Sequence, residues 1–462
     1  MTELERALRR AEDDFPNALD RLMALLRIPS VSSTEEGRDG IHACARWLAE
    51  ALGDLGFAVE VVPTDWHPIV LATRVGTGPG TVLFYGHYDV QPAEPLEAWN
   101  SPPFEPTLKQ EDGLNRIYAR GASDSKGQLW SGIEAIRALL AEGGELPCTM
   151  TLLLEGEEEA GSPSLGKFLD EHRERVACDV ALVSDSAMWS PTRPAITSRL
   201  KGLIHEKITI TAPNGELHSG HFGNVAANPV RLLAKVLAEI HDEHGRVRIP
   251  GFYEGVSEIS DALRQQWSSL NLDEALAGVS VAGGPDEGGL GPVELMWARP
   301  GIDFNGISGG NTGPSERSVL PTSAYARLTA RLVDLQEPED IRHKLRAFVR
   351  ARVPKGATVS FEGEGGSTAV TVSSESEYVA AAARALDAEW PEKTLIMGTG
   401  GAVPLVGLLK EKLGVDCIVT GFILNDDAIH APNERFDTER FRKAIRSWIR
   451  VIAEVSAVAK LS

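Results

Sequence analysis

Short apolar segments that end in acidic residues or histidine constrain the fold of this chain more than any other feature. Segments of this kind, rich in Val and Leu, occupy residues 81–90, 149–155 and 179–184. Helical periodicity lies between them, at residues 128–141 and 165–175. Such alternation is typical of an α/β fold, in which helices flank a mainly parallel central sheet. Functional groups in these sheets collect at the carboxyl ends of the strands.

The pattern changes near residue 201. Apolar and polar side chains alternate along residues 202–212, 324–335 and 358–362, which predicts half-exposed antiparallel strands. Amphipathic segments at residues 228–242 and 338–353 predict helices that cover one face of this second sheet.

The α/β pattern returns after residue 373. It continues with a predicted helix at 376–390, a strand at 415–422 and a terminal helix from residue 438. The sequence therefore predicts a discontinuous α/β domain, formed by residues 1–200 and 373–462, with an α+β domain inserted at residues 201–372.

The composition excludes several classes of partner. The 46 Lys and Arg residues are outnumbered by 66 Asp and Glu residues, which gives a formal net charge of −20. This negative charge disfavours nucleic acids and anionic membranes as partners, because proteins bind both through clustered cationic side chains. The four cysteines form no Cys-x-x-Cys pair, and no apolar run reaches the roughly 18 residues of a membrane span. We expect a soluble cytoplasmic protein with reduced thiols.

Candidate metal ligands follow the predicted strands or lie in nearby loops. Taken singly, each of these residues could have an ordinary structural role, such as that of a hydrogen-bonded histidine at a strand end or of a helix cap. The glutamates within 155–159 are harder to explain, because they end a buried strand where like charges are costly unless cations neutralise them. The full candidate set is His87, Asp124, one or more of the glutamates within 155–159, Asp185 and His430.

This set contains carboxylates and imidazoles but no thiolate, which favours zinc, manganese or cobalt. Two ions that share a carboxylate would hold a hydroxide for attack on a carbonyl. The sequence therefore indicates a dinuclear metal site.

Three segments carry a resemblance to a known family. They are Gly-His-Tyr-Asp-Val-Gln-Pro at 86–92, Arg-Gly-Ala-Ser-Asp-Ser-Lys-Gly at 120–127 and Glu-Gly-Glu-Glu-Glu at 155–159. They resemble the co-catalytic zinc metallopeptidases and deacylases, which include carnosine dipeptidase, cytosolic nonspecific dipeptidase, carboxypeptidase G, aminoacylase and acetylornithine deacetylase. The resemblance covers nearly the whole chain and is closest to the dipeptidase branch.

The resemblance implies two divalent metal ions per subunit. Zn²⁺ is the expected ion, and Mn²⁺ or Co²⁺ are alternatives. His87 and Asp185 would bind one ion, Glu159 and His430 would bind the other, and Asp124 would bridge them.

The resemblance also implies roles for the two acidic residues beside these ligands. Asp89 would orient His87 through its second ring nitrogen. Glu158 would be the general base that takes a proton from the bridging water and passes it to the leaving amine. A slip of one position between Glu158 and Glu159 stays open.

By the same resemblance, residues 1–200 and 373–462 form the catalytic domain, and residues 201–372 form the lid or dimerisation domain of a homodimer. His218 would stabilise the oxyanion across the dimer, and Arg331 would bind the substrate carboxylate. Ser318 and Asn311 are further candidates for contact with a small peptide substrate.

One segment departs from the family pattern. Dipeptidases of the family carry Glu-Gly-Gly-Ser or a close variant, whereas this chain has Thr-Gly-Gly-Ala at 399–402. The interpretation is a metallodipeptidase, with an N-acyl-amino-acid deacylase or a carboxypeptidase of the same family as the alternative. A non-catalytic metal-dependent scaffold is disfavoured because no ligand is lost. A serine hydrolase, suggested by Gly-Ile-Ser-Gly-Gly at 306–310, would require a helix after that segment.

Overall fold

The computed structural model of the chain describes residues 1–271, 287–400 and 404–459. The chain divides into two compact units. The first unit consists of Met1–Ser198, Val372–Met397 and Pro404–Ser462, and the second unit of Arg199–Thr371 and Gly398–Val403.

The described helices and strands are numbered here in chain order. The helices are α1 (Glu3–Asp13), α2 (Phe15–Leu26), α3 (Arg38–Asp54), α4 (Lys126–Leu140), α5 (Leu165–Glu171), α6 (Ser219–Phe222), α7 (Pro229–Ala238), α8 (Asp261–Ser268), α9 (Pro292–Ala298), α10 (Pro338–Arg350), α11 (Glu377–Asp387), α12 (Pro404–Leu413) and α13 (Thr438–Ala459). The strands are β1 (Ala58–Val62), β2 (Ile69–Arg74), β3 (Thr81–His87), β4 (Thr107–Glu111), β5 (Leu114–Tyr118), β6 (Thr149–Glu155), β7 (Val180–Ser184), β8 (Ala195–Leu200), β9 (Gly202–Thr211), β10 (Leu217–His218), β11 (Gly301–Gly309), β12 (Val319–Leu320), β13 (Ser323–Leu332), β14 (Thr358–Glu362), β15 (Val370–Thr371), β16 (Leu395–Thr399), β17 (Asp416–Thr420) and β18 (Arg435–Asp437).

The predicted α/β fold is confirmed. In the central sheet, seven strands follow the order β1-β2-β6-β3-β7-β17-β8. Strands β6, β3, β7 and β17 pair in parallel, whereas β1 and β2 on one side and β8 on the other add antiparallel pairs. The parallel strands are covered on both faces, which explains why their sequences are continuous apolar runs rather than alternating ones.

Helix α4 lies directly on strand β3. A Cβ atom at Gly132 of α4 would stand only 2.1 Å from Cζ of Phe84 in β3, so the helix approaches the sheet where it has no side chain. Phe84 also meets Trp448 of α13 edge to face, with ring centroids 5.2 Å apart. This packing places the start of α4, and therefore the segment before it, beside the end of β3.

The second unit contains the predicted antiparallel sheet, in the order β11-β13-β9-β14. Ile204, Ile208 and Ile210 of β9 lie in a buried apolar cluster with side chains of α7 and α10. The strands and helices predicted for this part of the chain are present. Helices α8 and α9 and strand β11 lie in a Gly-rich region for which no elements were predicted.

The segment Gly-Ile-Ser-Gly-Gly at 306–310 lies at the end of β11, where Ser308 pairs with Tyr325 of β13. No helix follows it before β12. This confirms that the serine-hydrolase alternative is to be rejected, because the strand-turn-helix geometry of a nucleophile elbow is missing.

Among the described residues, no helix combines the length and the apolar character needed to cross a bilayer.

Candidate metal centre

The candidate ligands meet at one edge of the central sheet. His87 ends β3 directly opposite Glu155, the last residue of β6, and Asp185 follows β7 on the other side of β3. Asp124 stands two residues before α4, and the Asp124–Ser125 peptide bond is cis. The carboxyl ends of three parallel strands thus converge where the fold class predicts a site.

The first group consists of His87, Asp124 and Asp185. Nε2 of His87 lies 3.3 Å from Oδ1 of Asp124 and 3.8 Å from Oδ1 of Asp185. His87 is fully buried, and its Nε2 has no well-directed hydrogen bond. A buried ring nitrogen of this kind, facing two carboxylates, fits a metal ligand.

The second group consists of Asp124, Glu159 and His430. Nε2 of His430 lies 2.9 Å from Oδ2 of Asp124 and 3.3 Å from Oε2 of Glu159. In each group the three ligand atoms lie within 4.8 Å of one another. Asp124 belongs to both groups and turns a different oxygen toward each histidine, as a bridging carboxylate would.

The electrostatics of the site favour bound cations. Burial raises the pKa of Asp185 well above its usual range, and the nearby Asp124 carboxylate adds to the shift. Burial also acts to raise the pKa of Asp124, but the imidazoles of His430 and His87 outweigh it and lower that pKa. Hydrogen bonds to Asp124 and Glu159 raise the pKa of His430 to about 10. Carboxylates this close together favour the binding of divalent cations.

Asp89 holds the first group in place. Nδ1 of His87 forms a hydrogen bond with the backbone carbonyl oxygen of Asp89 at 3.1 Å and lies 3.3 Å from Oδ1 of the same residue, so the imidazole points its Nε2 toward Asp124 and Asp185. Backbone carbonyls and carboxylates commonly orient a metal-bound histidine in this way. Burial by itself lowers the pKa of His87, but the nearby carboxylates of Asp124 and Asp89 outweigh burial and raise it well above the usual value.

The glutamate turn follows β6 as a short 3₁₀ helix, Glu158–Ala160. Glu157 is buried and anchors this turn by accepting the backbone N–H groups of His67 and Ser164, at 2.7 and 2.9 Å. Glu159 is the residue whose carboxylate reaches the second group, whereas Glu158 belongs to neither group. Burial raises the pKa of Glu158, and its negatively charged neighbours reinforce the shift.

Two residues that support the site, Glu434 and Asp427, were not singled out in the sequence. Glu434 is fully buried and binds the segment that carries Asp124, where it also forms an ion pair with Arg120 at 2.8 Å. Burial raises the pKa of Glu434 to about 7, although Arg120 opposes the shift. Asp427 accepts a hydrogen bond of 2.6 Å from Oγ of Ser123. In sequence these residues look like ordinary polar loop residues, and only their closeness to His430 marks them.

The predicted substrate-contacting residues lie in the second unit. His218 ends β10 opposite Val319 of β12, and it is exposed. Its Nδ1 accepts the backbone N–H of Gly220 at 3.1 Å, which leaves Nε2 as the protonated, donating nitrogen. The Ser318 carbonyl oxygen accepts the N–H of Ser219 at 2.9 Å, which places Ser318 beside His218 in the strand pair.

Arg331 is half-buried on β13, where it pairs with Leu203 of β9, and it forms no ion pair with any described residue. Asn311 uses its side chain within its own loop, where the amide donates to the carbonyl oxygen of Ser315. The roles of these four residues toward the metal-capable groups remain predictions. In the divergent segment 399–402, Gly401 and Ala402 lie outside the described residues.

The fold and the paired ligand groups are those of a metal-dependent hydrolase with an α/β catalytic unit. The family model described as Peptidase family M20/M25/M40 matches residues 83–454, so the chain belongs to this family. It is a hydrolase of the peptidase type.

Three relatives show how far the likeness extends. The Cys-Gly metallodipeptidase DUG1 of Candida albicans is 29% identical over 454 residues and is matched over 93% of both chains. The cysteinylglycine-S-conjugate dipeptidase of Corynebacterium striatum is 30% identical over 400 residues, 84% of each chain. The crystal structure of the metallo-carboxypeptidase Sso-CP2 from Sulfolobus solfataricus matches with a TM-score of 0.74 and 29% identity, over 96% of this chain and 99% of that chain.

Proposed function

We propose that this protein is a dinuclear, metal-dependent dipeptidase that hydrolyses the amide bond of dipeptides. The observation that carries the proposal is the placement of Asp124, whose two carboxylate oxygens face two different histidines, each accompanied by one more carboxylate. Two relatives of 29% and 30% identity are named as dipeptidases, which supports this substrate class.

His87 and Asp185 would hold one divalent ion, Glu159 and His430 the other, and Asp124 would contact both. The mixture of imidazole and carboxylate ligands suits Zn²⁺, with Mn²⁺ or Co²⁺ as alternatives. When bound, the ions would polarise the scissile carbonyl group and lower the pKa of the attacking water.

Glu158 would act as the general base. Its carboxylate would take a proton from the attacking water and deliver it to the nitrogen of the leaving amine. Its raised pKa supports this role, because a base that must also release the proton works best with a pKa close to the working pH. Asp89 accepts the backbone N–H of Glu158 at 3.2 Å, which restrains the base relative to His87.

His218 would stabilise the oxyanion in a site of the partner subunit, within a homodimer formed by the second unit. The hydrogen bond from Gly220 to Nδ1 supports the role, because it leaves an N–H at Nε2 for the oxyanion. Arg331 would bind the carboxylate of the peptide through its guanidinium group. Ser318 and Asn311 would make lesser contacts, and Asn311 is the weaker of the two because its amide already serves its own loop.

We also propose that the protein works in the cytoplasm. All four cysteines are free thiols, and Cys44, Cys148 and Cys417 are buried. Unpaired buried thiols are the usual condition of cysteines in a reducing compartment.

A carboxypeptidase or an N-acyl-amino-acid deacylase is the second candidate. The likeness to the Sulfolobus metallo-carboxypeptidase favours it, and so does the altered segment 399–402, which lacks the glutamate and the serine of the dipeptidase pattern. These enzymes would use the same metal ligands and differ in the groups that recognise the substrate.

The two candidates separate in one experiment. The protein is incubated with dipeptides, longer peptides and N-acetyl amino acids, first after treatment with a chelator and then after addition of Zn²⁺, Mn²⁺ or Co²⁺. We expect cleavage of dipeptides that stops with the chelator and returns with metal. Cleavage confined to longer peptides or to N-acetyl amino acids would transfer the assignment to the second candidate. Activity indifferent to the chelator would reject both.

A further inference from the structure

One buried carboxylate connects the segment that carries Asp124 to the loop that carries His430. Oε1 of Glu434 accepts the backbone N–H groups of Ser123 and Asp124, each at 2.9 Å. Oε2 accepts the N–H of Gly121 at 2.9 Å and Nη1 of Arg120 at 2.8 Å. A carboxylate offers about four acceptor positions, and here all four are filled by the 120–124 segment.

Strand pairing explains why Glu434 reaches this segment. Strand β18 begins one residue after Glu434 and pairs with β5, with Arg435 opposite Tyr118. The backbone N–H of Ala119 donates to the carbonyl oxygen of Glu434 at 3.1 Å and extends this pairing. Two segments more than 300 residues apart in sequence are thereby placed side by side. One lies immediately before the 120–124 segment, and the other lies immediately after the loop of His430.

The loop of His430 holds the same segment at a second point. Oδ2 of Asp427 accepts the hydroxyl of Ser123 at 2.6 Å. The backbone N–H of Arg435 donates to the carbonyl oxygen of Asp427 at 2.9 Å and closes the loop at its base. His430 lies between the two attachments, Asp427 and Glu434, and takes a left-handed backbone conformation with φ of 59°.

We propose that Glu434 is a positioning residue, which fixes the backbone of Asp124 against the His430 loop so that one carboxylate serves both ligand groups. Glu434 binds the N–H of Asp124 itself, whose nitrogen is bonded directly to the Cα atom that carries the bridging side chain. The consequence for metal binding and turnover rests on the proposed function. The consequence for the 119–124 segment follows from the hydrogen bonds alone.

The isosteric substitution Glu434→Gln tests the proposal directly. It replaces one acceptor oxygen with an NH₂ group, which must then face N–H donors of the 120–124 segment. We expect metal affinity to fall roughly 10- to 100-fold, as for other groups that orient metal ligands. We expect kcat to fall and KM to change little, since Glu434 is fully buried and touches no substrate. Glu434→Asp keeps both oxygens and should restore part of the affinity.

A matched control separates this role from a general loss of stability. Glu389 is also largely buried and bonds two arginines, Arg446 at 2.7 Å and Arg450 at 3.1 Å, but it has no bond to the 119–124 segment. Glu389→Gln should lower the melting temperature and leave metal affinity within about twofold of the wild type. Equal losses of metal affinity in the Glu389 and Glu434 variants would overturn the proposal.

Hydrogen exchange on the unsubstituted protein decides the matter if the Glu434 variants do not fold. The amide hydrogens of Gly121, Ser123 and Asp124 are measured with Zn²⁺ bound and after removal of metal by a chelator. We expect slow exchange in both states, because Glu434 and not the metal holds these groups. Exchange that becomes fast without metal would overturn the proposal. The measurement needs no substrate, so it stands even if no dipeptide is cleaved.

Discussion

Nδ1 of His87 lies 3.3 Å from Oδ1 of Asp89, and both groups are fully buried. The same carboxylate accepts the backbone N–H groups of Glu158 and Glu159, at 3.2 and 3.0 Å. Asp89 therefore joins a ligand of the first group to the turn that carries a ligand of the second.

The substitution Asp89→Asn should weaken metal binding without unfolding the protein. An amide offers only one acceptor oxygen, so it cannot serve both His87 and the two N–H groups of the glutamate turn. We expect roughly 10- to 100-fold weaker binding in competition with a chromophoric chelator. Asp65→Asn is the control, because Asp65 is exposed and, among the described residues, pairs only with Lys167. Unchanged affinity in Asp89→Asn would show that the Asp89 carboxylate does not help to orient His87.

The two neighbouring glutamates should give opposite results when each is replaced by glutamine. Glu158→Gln should lower kcat by roughly 10²- to 10⁴-fold, the usual contribution of a general base, with metal content unchanged. Glu159→Gln should lose metal from the second group, because Oε2 of Glu159 lies in that group. Metal analysis and steady-state kinetics on both variants measure these effects. The reversed pattern would mean that the roles are exchanged.

The proposed oxyanion donor can be tested within the dimer. His218→Ala should lower kcat by roughly 10²- to 10³-fold and leave metal content unchanged. When this variant is mixed with Glu158→Gln under conditions that exchange subunits, activity should recover to about a quarter of the wild type. Half of the dimers would then be mixed, and each would hold one complete site if His218 acts across a symmetric dimer. No recovery would show that His218 and Glu158 work within one chain.

The contact between α4 and β3 predicts a stability effect that is independent of chemistry. Gly132→Ala would place a Cβ atom 2.1 Å from Cζ of Phe84, whose ring is held by Trp448. We expect a loss of about 1–3 kcal/mol in the free energy of unfolding, measured by urea denaturation. Gly53→Ala in α3 is the control, since a Cβ there meets no described atom within 4 Å outside its own helix backbone, and it should be neutral or stabilising. Equal stabilities would contradict the packing described for α4.

The sequence was sufficient for the framework of the site. Strands β3, β6 and β7 are buried on both faces, so their apolar runs were distinct, and the polar residues that follow them indicated His87, Asp185 and the glutamates within 155–159. Asp124 and His430 joined the candidates as polar residues in loops. The choice of Glu159 as the ligand came from the resemblance to a family, since neighbouring glutamates have no periodic pattern to distinguish them.

The supporting residues could not be predicted in the same way. Glu434 reaches Asp124 only because β18, a strand of three residues, pairs with β5 across more than 300 residues of sequence. A strand this short carries too few side chains for an alternating pattern. Helices α8 and α9 were missed for a related reason, because they are short and lie in a Gly-rich part of the chain.

The shared use of Asp124 by two metal ions is tested most directly by counting the metal bound per chain. The wild type and the variants His87→Ala, His430→Ala and Asp124→Ala are loaded with Zn²⁺, desalted and analysed by mass spectrometry of the metal. We predict two ions in the wild type, one for each ligand group, one ion in each histidine variant, and almost none in Asp124→Ala, because that substitution removes a ligand from both groups. A wild type that holds a single ion, or an Asp124→Ala variant that retains one in full, would contradict the bridged site.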